Sequence, residues 1–169
     1  MKVFFISLLL LTFSFASNAQ IKDTSKIIKD QANRMGQAFI TGDYKTFSKY
    51  NNPAIVKMMG GSEKMTAAVS KIIDDMKSKG MSFISFTFDE PSKLIKSGRE
   101  LQCTIIQHTD VNTPSGRVVN TSTLIAISTD HGHSWTFMDT NNKDMATIKK
   151  LLPNLSSAIT IPLKQTTGQ

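Results

Sequence analysis

The sequence predicts an α+β fold in which N-terminal helices pack on a mainly antiparallel sheet. Apolar residues in the first half of the 169-residue chain recur at spacings of three and four, which is typical of amphipathic helices. After Gly80 the apolar spacing becomes two, which is typical of half-buried strands. Because the helices precede consecutive strands rather than alternating with them, we expect the helices to cover one face of the sheet.

The N-terminus has the features of a secretory signal peptide. Lys2 provides the positive start, an apolar block follows, and the small residues Ser17 and Ala19 precede the expected cleavage before Gln20. The apolar block is too short for a membrane span, which needs about 20 apolar residues, and no cysteine lies there to carry a lipid anchor. We therefore expect an exported protein, periplasmic or secreted, without a membrane span.

This cleavage divides the chain into a signal peptide of residues 1–19, one α+β domain of residues 20–164 and a disordered tail of residues 165–169. The formal net charge of +7 and the pI near 9.6 would suit a nucleic-acid-binding protein, but export removes that class of partner. The basic residues are scattered over predicted helices. We expect them to be solvated, with attraction to anionic envelope surfaces as the alternative.

Four helices are predicted in the first half of the chain. The first ends at Gly42, and Asp43 caps the second, which covers residues 44–50. A third covers residues 54–59, and Ser62 caps the fourth. The apolar positions that we expect to be buried on the first helix are Ile28, Ala32, Met35 and Phe39. Those on the fourth helix are Met65, Val69, Ile72, Ile73 and Met76.

Strands dominate the second half of the chain. In the first of them, Ile84, Phe86 and Phe88 are expected to share one side. A short helix from Met145, stopped by Pro153, precedes the last strand. The predicted strands are residues 83–88, 94–96, 101–108, 118–128, 135–139 and a late edge strand at 159–163.

Cys103 is the only cysteine, so an internal disulfide is excluded. It falls within an apolar strand pattern, where we expect a small buried side chain. A nucleophilic role would need a polarising histidine nearby. His108 lies five residues further along an extended strand and therefore faces the opposite side.

The order of elements and several short motifs between residues 27 and 139 are distinctive. A long helix is followed by Thr41-Gly42-Asp43-Tyr44, then by Asn52-Pro53-Ala54-Ile55-Val56, Gly60-Gly61, a further helix and long strands. This order resembles the nuclear-transport-factor-2-like superfamily, whose members include polyketide-cyclase-like and ketosteroid-isomerase-like proteins. The resemblance implies a curved sheet wrapped around helices as a cone with an apolar pocket. The members range from isomerases and dehydratases to binding modules, so the fold assigns no activity.

The enzymes of that superfamily use a carboxylate or a His–Asp pair inside the cone, often with a tyrosine. The candidate pocket residues here are Tyr44, Gln107, His108, Thr123 and Asp139. Their spacing demands no pairing, and an acid–base pair needs a defined mutual geometry. We therefore expect these side chains to line a ligand pocket and assign no catalytic residue.

A second motif, Ser-Thr-Asp-His-Gly-His-Ser-Trp at residues 128–135, resembles the Asp-box hairpin of sialidase-type propeller proteins. We expect Ser128 to begin a turn in which Asp130 accepts bonds from backbone N–H groups. Gly132 would supply the positive φ, and Trp135 would pack beneath. The motif occurs once, in a chain too short for a propeller, so it indicates a structural hairpin and not sialidase activity.

A metal site is the alternative interpretation of this turn. His131 and His133 flank Gly132 and could join Asp130 around one ion. Three ligands within one tight turn rarely converge, and no distant Cys or Glu suggests itself as a partner. We expect no metal and, because no Gly-rich phosphate loop is present, no cofactor.

Three functional classes remain open. The leading hypothesis is an exported, non-catalytic binding module for a small apolar ligand or an envelope protein. The first alternative is a pocket enzyme of the isomerase or dehydratase type that uses His108 or Asp139; a polar partner beside either of them in a water-accessible pocket would favour it. The second alternative is a homo-oligomeric assembly module, for example a homodimer, which would need an apolar outer sheet face.

Overall fold

The computed structural model describes residues 16–141, 143–161 and 166–168 of the chain. Most of the predicted signal peptide lies outside these residues. The helices are α1 Ala16–Ile40, α2 Tyr44–Tyr50, α3 Pro53–Met58, α4 Ser62–Ser78 and α5 Met145–Leu151. The strands are β1 Ser82–Phe88, β2 Ile95–Ser97, β3 Glu100–Thr113, β4 Gly116–Ser128, β5 Thr136–Asp139 and β6 Thr166–Gly168. The predicted α+β arrangement of helices followed by an antiparallel sheet is confirmed.

The N-terminal helices begin largely where the sequence indicates. Asp43 caps α2 by accepting a hydrogen bond from the Thr46 amide at 3.0 Å, and this bond lowers the pKa of Asp43. The expected cap of α4 is wrong, because Gly61 occupies the N-cap position with a φ of +102°, which favours glycine. Ser62 lies in the first turn instead, and its Oγ is 2.6 Å from the Oγ of buried Ser48, which links α4 to α2.

The described strands form one antiparallel sheet in the order β1-β3-β4-β5. The β3–β4 hairpin is its longest ladder and runs from the Leu101–Ser128 pair to the Thr113–Gly116 pair. β2 pairs with β3 beyond the end of β1, and β6 pairs with β4 beyond the end of β5. The two central strands therefore set the register of the whole sheet.

The main hydrophobic core lies between α1 and one face of the sheet, called the inner face below. Ile28 and Ala32 of α1 cluster there with Cys103 and Ile105 of β3 and with Trp135. Cys103 is fully buried, as expected. Burial raises the pKa of its thiol to about 12, which keeps the thiol protonated and poorly nucleophilic at neutral pH.

A second core lies on the outer face and corrects the expectation that the helices cover only one face of the sheet. α5 packs there, and its Ile148 clusters with Leu152 and with Ile125, Ile127 and Met138 of the sheet. These sheet residues alternate along their strands with inner-face residues. β4 is therefore buried on both sides where α5 covers it.

The first strand does not follow its predicted alternation. The pairing of β1 with β3 shifts register between Phe83 and Ser85, which is the signature of a β-bulge. Ile84, expected on the same side as Phe86 and Phe88, is 45% exposed. The inserted residue brings Phe83 to the same side as Phe86, three residues further on, and both reach the inner face.

The fourth helix buries a narrower stripe than predicted. Met65 and Ile73 are buried, whereas Ile72 is 55% exposed. Neighbouring positions such as Ile72 and Ile73 lie about 100° apart around a helix. The described contacts of α4 are mainly with α2. Because α2 is a single short helix, only one of these two side chains is covered.

The C-terminal segment also differs from the prediction. The late edge strand expected at residues 159–163 is absent from its described part, residues 159–161, although Ile159 is buried; its last two residues lie outside the described chain. Thr166–Gly168, expected in a disordered tail, pair with residues 118–120 of β4. The edge of β4 beyond β5 offers main-chain N–H and C=O groups that any extended segment can pair with.

Gly36 sets the distance between α1 and β1. A Cβ atom at this position would lie 2.9 Å from the Cβ atom of Phe86. We expect Gly36→Ala to lower the free energy of unfolding by about 1 kcal/mol, because overpacking costs about 1–3 kcal/mol and the gain in helix propensity is about 1 kcal/mol. Urea denaturation measures the change. Asn33→Ala, on the exposed side of α1, is the control and should be neutral or stabilising; equal stability of the two variants would contradict this packing.

Candidate ligand-binding cavity

A cavity of about 570 Å³ lies between the inner face of the sheet and α1, α2 and α4. Its volume falls within the range typical of small-molecule sites. The apolar lining residues are Met35, Phe39, Phe47, Met76, Met81, Phe83, Phe86, Val111, Val118, Leu124 and Phe137. The polar lining residues are Asn51, Gln107, Thr109, Thr113, Asn120, Thr121, Ser122, Asp139 and Asn141. Among the described lining residues, Asp139 is the only one of the types Asp, Glu, Lys, Arg and His.

Phe39 is the centre of the apolar wall. The centroid of its ring lies 5.1 Å from that of Phe47, 5.0 Å from that of Phe83 and 5.2 Å from that of Phe86, each in an edge-to-face arrangement. Phe83 and Phe86 stack on each other at 5.7 Å. Such pairs stabilise by about 0.5–1.5 kcal/mol beyond the burial of their surface. The bulge in β1 brings Phe83 into this cluster.

Polar side chains of β3 and β4 form the opposite wall. The Gln107 amide donates from Nε2 to Thr109 Oγ1 at 3.2 Å and to Ser122 Oγ at 3.4 Å. Asn51, held beside β5 by its bridge to Phe137, donates from Nδ2 to a main-chain carbonyl of α2 at 2.9 Å. The side-chain amides of Gln107 and Asn51 therefore donate within the protein.

Asp139 and Asn141 lie at the C-terminal end of β5. The Asn141 amide donates to Asp139 Oδ1 at 2.7 Å, and Lys143 Nζ donates to the carbonyl oxygen of Asp139 at 2.9 Å. The side-chain oxygen of Asn141 is buried and accepts no hydrogen bond within the described structure. An unsatisfied buried acceptor costs about 1–3 kcal/mol.

The structure places two of the five predicted pocket residues, Gln107 and Asp139, in the cavity lining. Tyr44 lines a smaller cavity of about 160 Å³ between α1, α4 and β1, and its ring meets Phe39 edge-on at 6.0 Å. His108 and Thr123 lie on the outer face, which corrects their assignment to the pocket. Neighbouring residues of a strand point to opposite sides, so an inward Gln107 requires an outward His108.

Sequence reasoning missed Phe83 and Asn141 as cavity residues. Phe83 reaches the cavity through a bulge that apolar periodicity does not reveal. Asn141 lies two residues after the end of β5, beyond the range where strand alternation assigns a side. The Asp-x-Asn spacing from Asp139, which allows the side chain of the first residue to accept from the amide of the third, is the signal that could have located this turn.

A His–Asp pair of the kind expected inside the cone exists on the outer face. His108 Nε2 lies 3.1 Å from Asp89 Oδ1, and His108 Nδ1 lies 3.1 Å from Thr121 Oγ1. The side chains of His108 and Asp89 are 34% and 55% exposed, and neither lines the cavity. The contacts connect β3 to β4 and to the residue that follows β1.

The turn at residues 128–135 forms the hydrogen-bond network of a structural hairpin. Asp130 Oδ1 accepts from Ser128 Oγ at 2.8 Å and from the Ser134 amide at 2.9 Å, and Oδ2 accepts from Ser134 Oγ. The bonds from Ser134, and then that from Ser128, lower the pKa of Asp130 to about 2. Gly132 has a φ of +92°, and its amide donates to Ser128 Oγ at 2.9 Å.

Trp135 and α1 anchor this turn to the main core. Trp135 is buried, and its Nε1 donates to the carbonyl oxygen of Gly132 at 3.0 Å. Gln31 of α1 accepts from the Trp135 amide at 2.8 Å and donates to the carbonyl oxygen of His133 at 2.9 Å. The hairpin therefore docks on α1 through a side chain that sequence reasoning did not single out.

The metal interpretation of the turn finds no support in its geometry. No group of three or more potential metal-binding side chains comes together within residues 16–141, 143–161 and 166–168. His131 and His133 are exposed. Both oxygens of Asp130 already accept hydrogen bonds from Ser128 and Ser134.

No protein-family model matches the chain, and no curated protein sequence matches it. In the described part of the chain, no helix combines the length and the apolar character that crossing a bilayer requires. The functional argument therefore rests on the cavity.

The Asp130 carboxylate is expected to stabilise the turn. Asp130→Ala leaves the donors of Ser128 and Ser134 without this acceptor, and we expect a loss of about 2 kcal/mol, the scale of a hydrogen bond to a charged group. Asp130→Asn keeps one carbonyl oxygen and should lose less. The pKa of Asp130 is about 2, below its ordinary value of 3.8. The contribution of the charge is therefore complete above about pH 4 and is lost as the pH falls towards 2.

Urea denaturation between pH 2 and pH 7 checks this expectation. The difference in stability between the parent and Asp130→Ala should shrink as the pH falls below about 4. A difference that stays constant over this range would contradict the role of the carboxylate.

Trp135 is expected to be the largest single contributor to the core at the hairpin end. Trp135→Ala should lower the free energy of unfolding by about 3–5 kcal/mol, the range for removal of a large buried aromatic side chain. Trp135→Phe retains much of the apolar surface and loses the bond to Gly132, so it should cost less. An unchanged urea midpoint for Trp135→Ala would refute this role.

Proposed function

We propose that this protein is an exported, non-catalytic binding module that holds a small apolar or amphipathic ligand in the 570 Å³ cavity. The single observation that carries the proposal is the composition of the lining: a cluster of phenylalanine rings on one side and amides, hydroxyls and the carboxyl group of Asp139 on the other. An apolar site with a few polar groups that fix orientation is the usual form of a small-molecule pocket.

An isomerase or dehydratase is less well supported by this lining. Asp139 is a possible general base, but acid–base catalysis also needs a partner that donates a proton or stabilises the developing charge. The described lining contains no His, Lys, Tyr or Cys beside it. His108, the other residue considered for this role, lies on the outer face with Asp89.

An assembly module is also less well supported. Where α5 does not cover it, the outer face carries polar side chains such as Thr87, His108 and Asp110. Arg117 pairs there with Asp110. A stable homodimer interface is normally more apolar than the rest of the surface.

The relation to the nuclear-transport-factor-2-like superfamily is part of the same proposal. It is supported by N-terminal helices placed over one face of an antiparallel sheet and by a cavity between the two layers. These features suit the cone-shaped fold that the resemblance implies. Enzymes and binding modules share these features, so the activity has to be inferred from the residues that line the cavity.

Export is expected to remove residues 1–19. Cleavage before Gln20 would shorten α1 at its start and retain the core position Ile28 and the hairpin contact Gln31. Peptide mass spectrometry of the exported protein should find Gln20 as the first residue. Retention of Met1 on a membrane-bound product would contradict export with cleavage.

Ligand binding can be tested with N-phenyl-1-naphthylamine, a neutral dye whose fluorescence rises in apolar surroundings. We expect saturable binding with one dye per chain. Val118→Phe should weaken it at least tenfold, because Val118 lines the cavity and a phenyl ring would occupy part of its volume.

Val119→Phe is the matched control for this experiment. Val119 is the next residue of β4, pairs with Asp110 and lies on the outer face, so the same substitution there should leave dye binding unchanged. Equal loss in the two variants, or no saturable binding to the parent, would contradict the proposed function.

A further inference from the structure

We propose that the ligand is an amphiphile with an unbranched alkyl chain, and that this chain runs from the main cavity past Met76 and Met81 into the smaller cavity beside Tyr44. The main cavity is the one of about 570 Å³, and the Tyr44 cavity is the one of about 160 Å³. The inference rests on the proposed function and specifies the class of ligand. It follows from the wall that the two cavities share, the side chains in that wall and the apolar residues beyond it.

The two cavities lie side by side. Four residues line both of them: Phe39, Met76, Met81 and Phe83. A side chain that lines two cavities lies between them, so these four side chains form the shared wall. An occupant of the main cavity can therefore enter the Tyr44 cavity wherever one of these side chains moves aside.

The methionines are the movable part of the shared wall. The ring centroids of Phe39 and Phe83 lie 5.0 Å apart in an edge-to-face arrangement, and Phe39 also contacts two further rings of the aromatic cluster. These aromatic contacts hold both rings in place. Met76 and Met81 have unbranched, flexible side chains that adapt to irregular neighbours. A change of their rotamers would open a passage while the rings stay where they are.

A passage of this kind selects a slender apolar group. An unbranched alkyl chain is narrow enough to pass between side chains, whereas a fused ring system is broader. The chain also crosses an apolar wall without losing hydrogen bonds, whereas a polar head would lose its hydration there. The head therefore stays in the main cavity, among the amides and hydroxyls of β3 and β4.

The Tyr44 cavity offers the chain further apolar surface. Ile40 and Ile73 line this cavity and are absent from the lining of the main cavity, and Ile73 is buried. Thr41, Lys77 and Ser82, which also line it, are exposed. Each methylene buried beside the isoleucines should increase the affinity about fourfold. A chain long enough to cross the shared wall should therefore bind more tightly than a shorter one.

The experiment compares 1-octanol with 1-dodecanol, which have the same head and differ in chain length. Each displaces N-phenyl-1-naphthylamine from the full exported protein at pH 7, below its solubility limit. We expect dodecanol to bind more tightly by about fiftyfold or more, because burial of its four additional methylenes adds affinity.

Variants test whether the additional affinity comes from the Tyr44 cavity. Ile73→Phe would fill part of that cavity, and it should weaken dodecanol by about tenfold or more while changing octanol less than twofold. Ile72→Phe adds the same ring at the neighbouring position of α4, where the side chain is 55% exposed, and should change neither alcohol. Met81→Ile places a stiffer, β-branched side chain in the shared wall and should weaken dodecanol selectively. Thermal melts confirm that the variants are folded.

An NMR measurement on the parent protein locates the chain without any substitution. We expect nuclear Overhauser effects between the terminal methyl group of bound dodecanol and the methyl groups of Ile73. Effects confined to Val111, Val118 and Leu124, which line the main cavity, would overturn the inference.

An Ile73→Phe variant that weakens both alcohols equally would also overturn it. If the dye and both alcohols bind the parent, but neither Ile73→Phe nor Met81→Ile changes the preference for dodecanol, the inference fails while the proposed cavity function stands. If neither the dye nor any alcohol binds, the proposed function fails and takes this inference with it.

Discussion

The antiparallel register of β3 and β4 is the constraint on which the rest of the structure depends. It pairs Cys103 with Ala126 and Gln107 with Ser122, and thereby assigns every side chain of both strands to one face. A slip of one residue on β3 would carry Cys103 out of the core and turn His108 inward. The core under α1, the cavity and the polar outer face are therefore three consequences of one register.

The character of the inner face changes along this ladder, and that change produces the cavity. Near the hairpin the inner positions are apolar, and Trp135 and Cys103 pack tightly against α1. Further along β3 they become Gln107 and Thr109, opposite Ser122 on β4. These side chains bond to one another and do not fill the space below the helices, so an open volume remains between polar strands and the aromatic wall.

The sequence was sufficient for features that depend on period and local capping, and insufficient for those that depend on a single inserted residue or on tertiary partners. The period of α1, the Asp43 cap and the Asp130 turn are local and are confirmed, whereas the equally local Ser62 cap is wrong because Gly61 occupies that position. The bulge beside Ile84 changes which aromatic residues reach the cavity, yet leaves the period-two pattern intact. The alternation around His108 predicts that neighbouring side chains point to opposite faces of the sheet. It does not indicate which face is buried, because His108 and both neighbouring residues are polar. Asn141 is brought to the cavity by the turn after β5.

The most direct test of the central claim is a methyl NMR titration of the methionine-labelled protein with N-phenyl-1-naphthylamine. Met35, Met76 and Met81 line the cavity, whereas Met58 and Met145 are exposed outside it. We expect the aromatic ligand to shift the three lining methyl signals and to leave the two exposed ones unchanged. Shifts confined to Met58 and Met145, with the lining signals unmoved, would contradict the account.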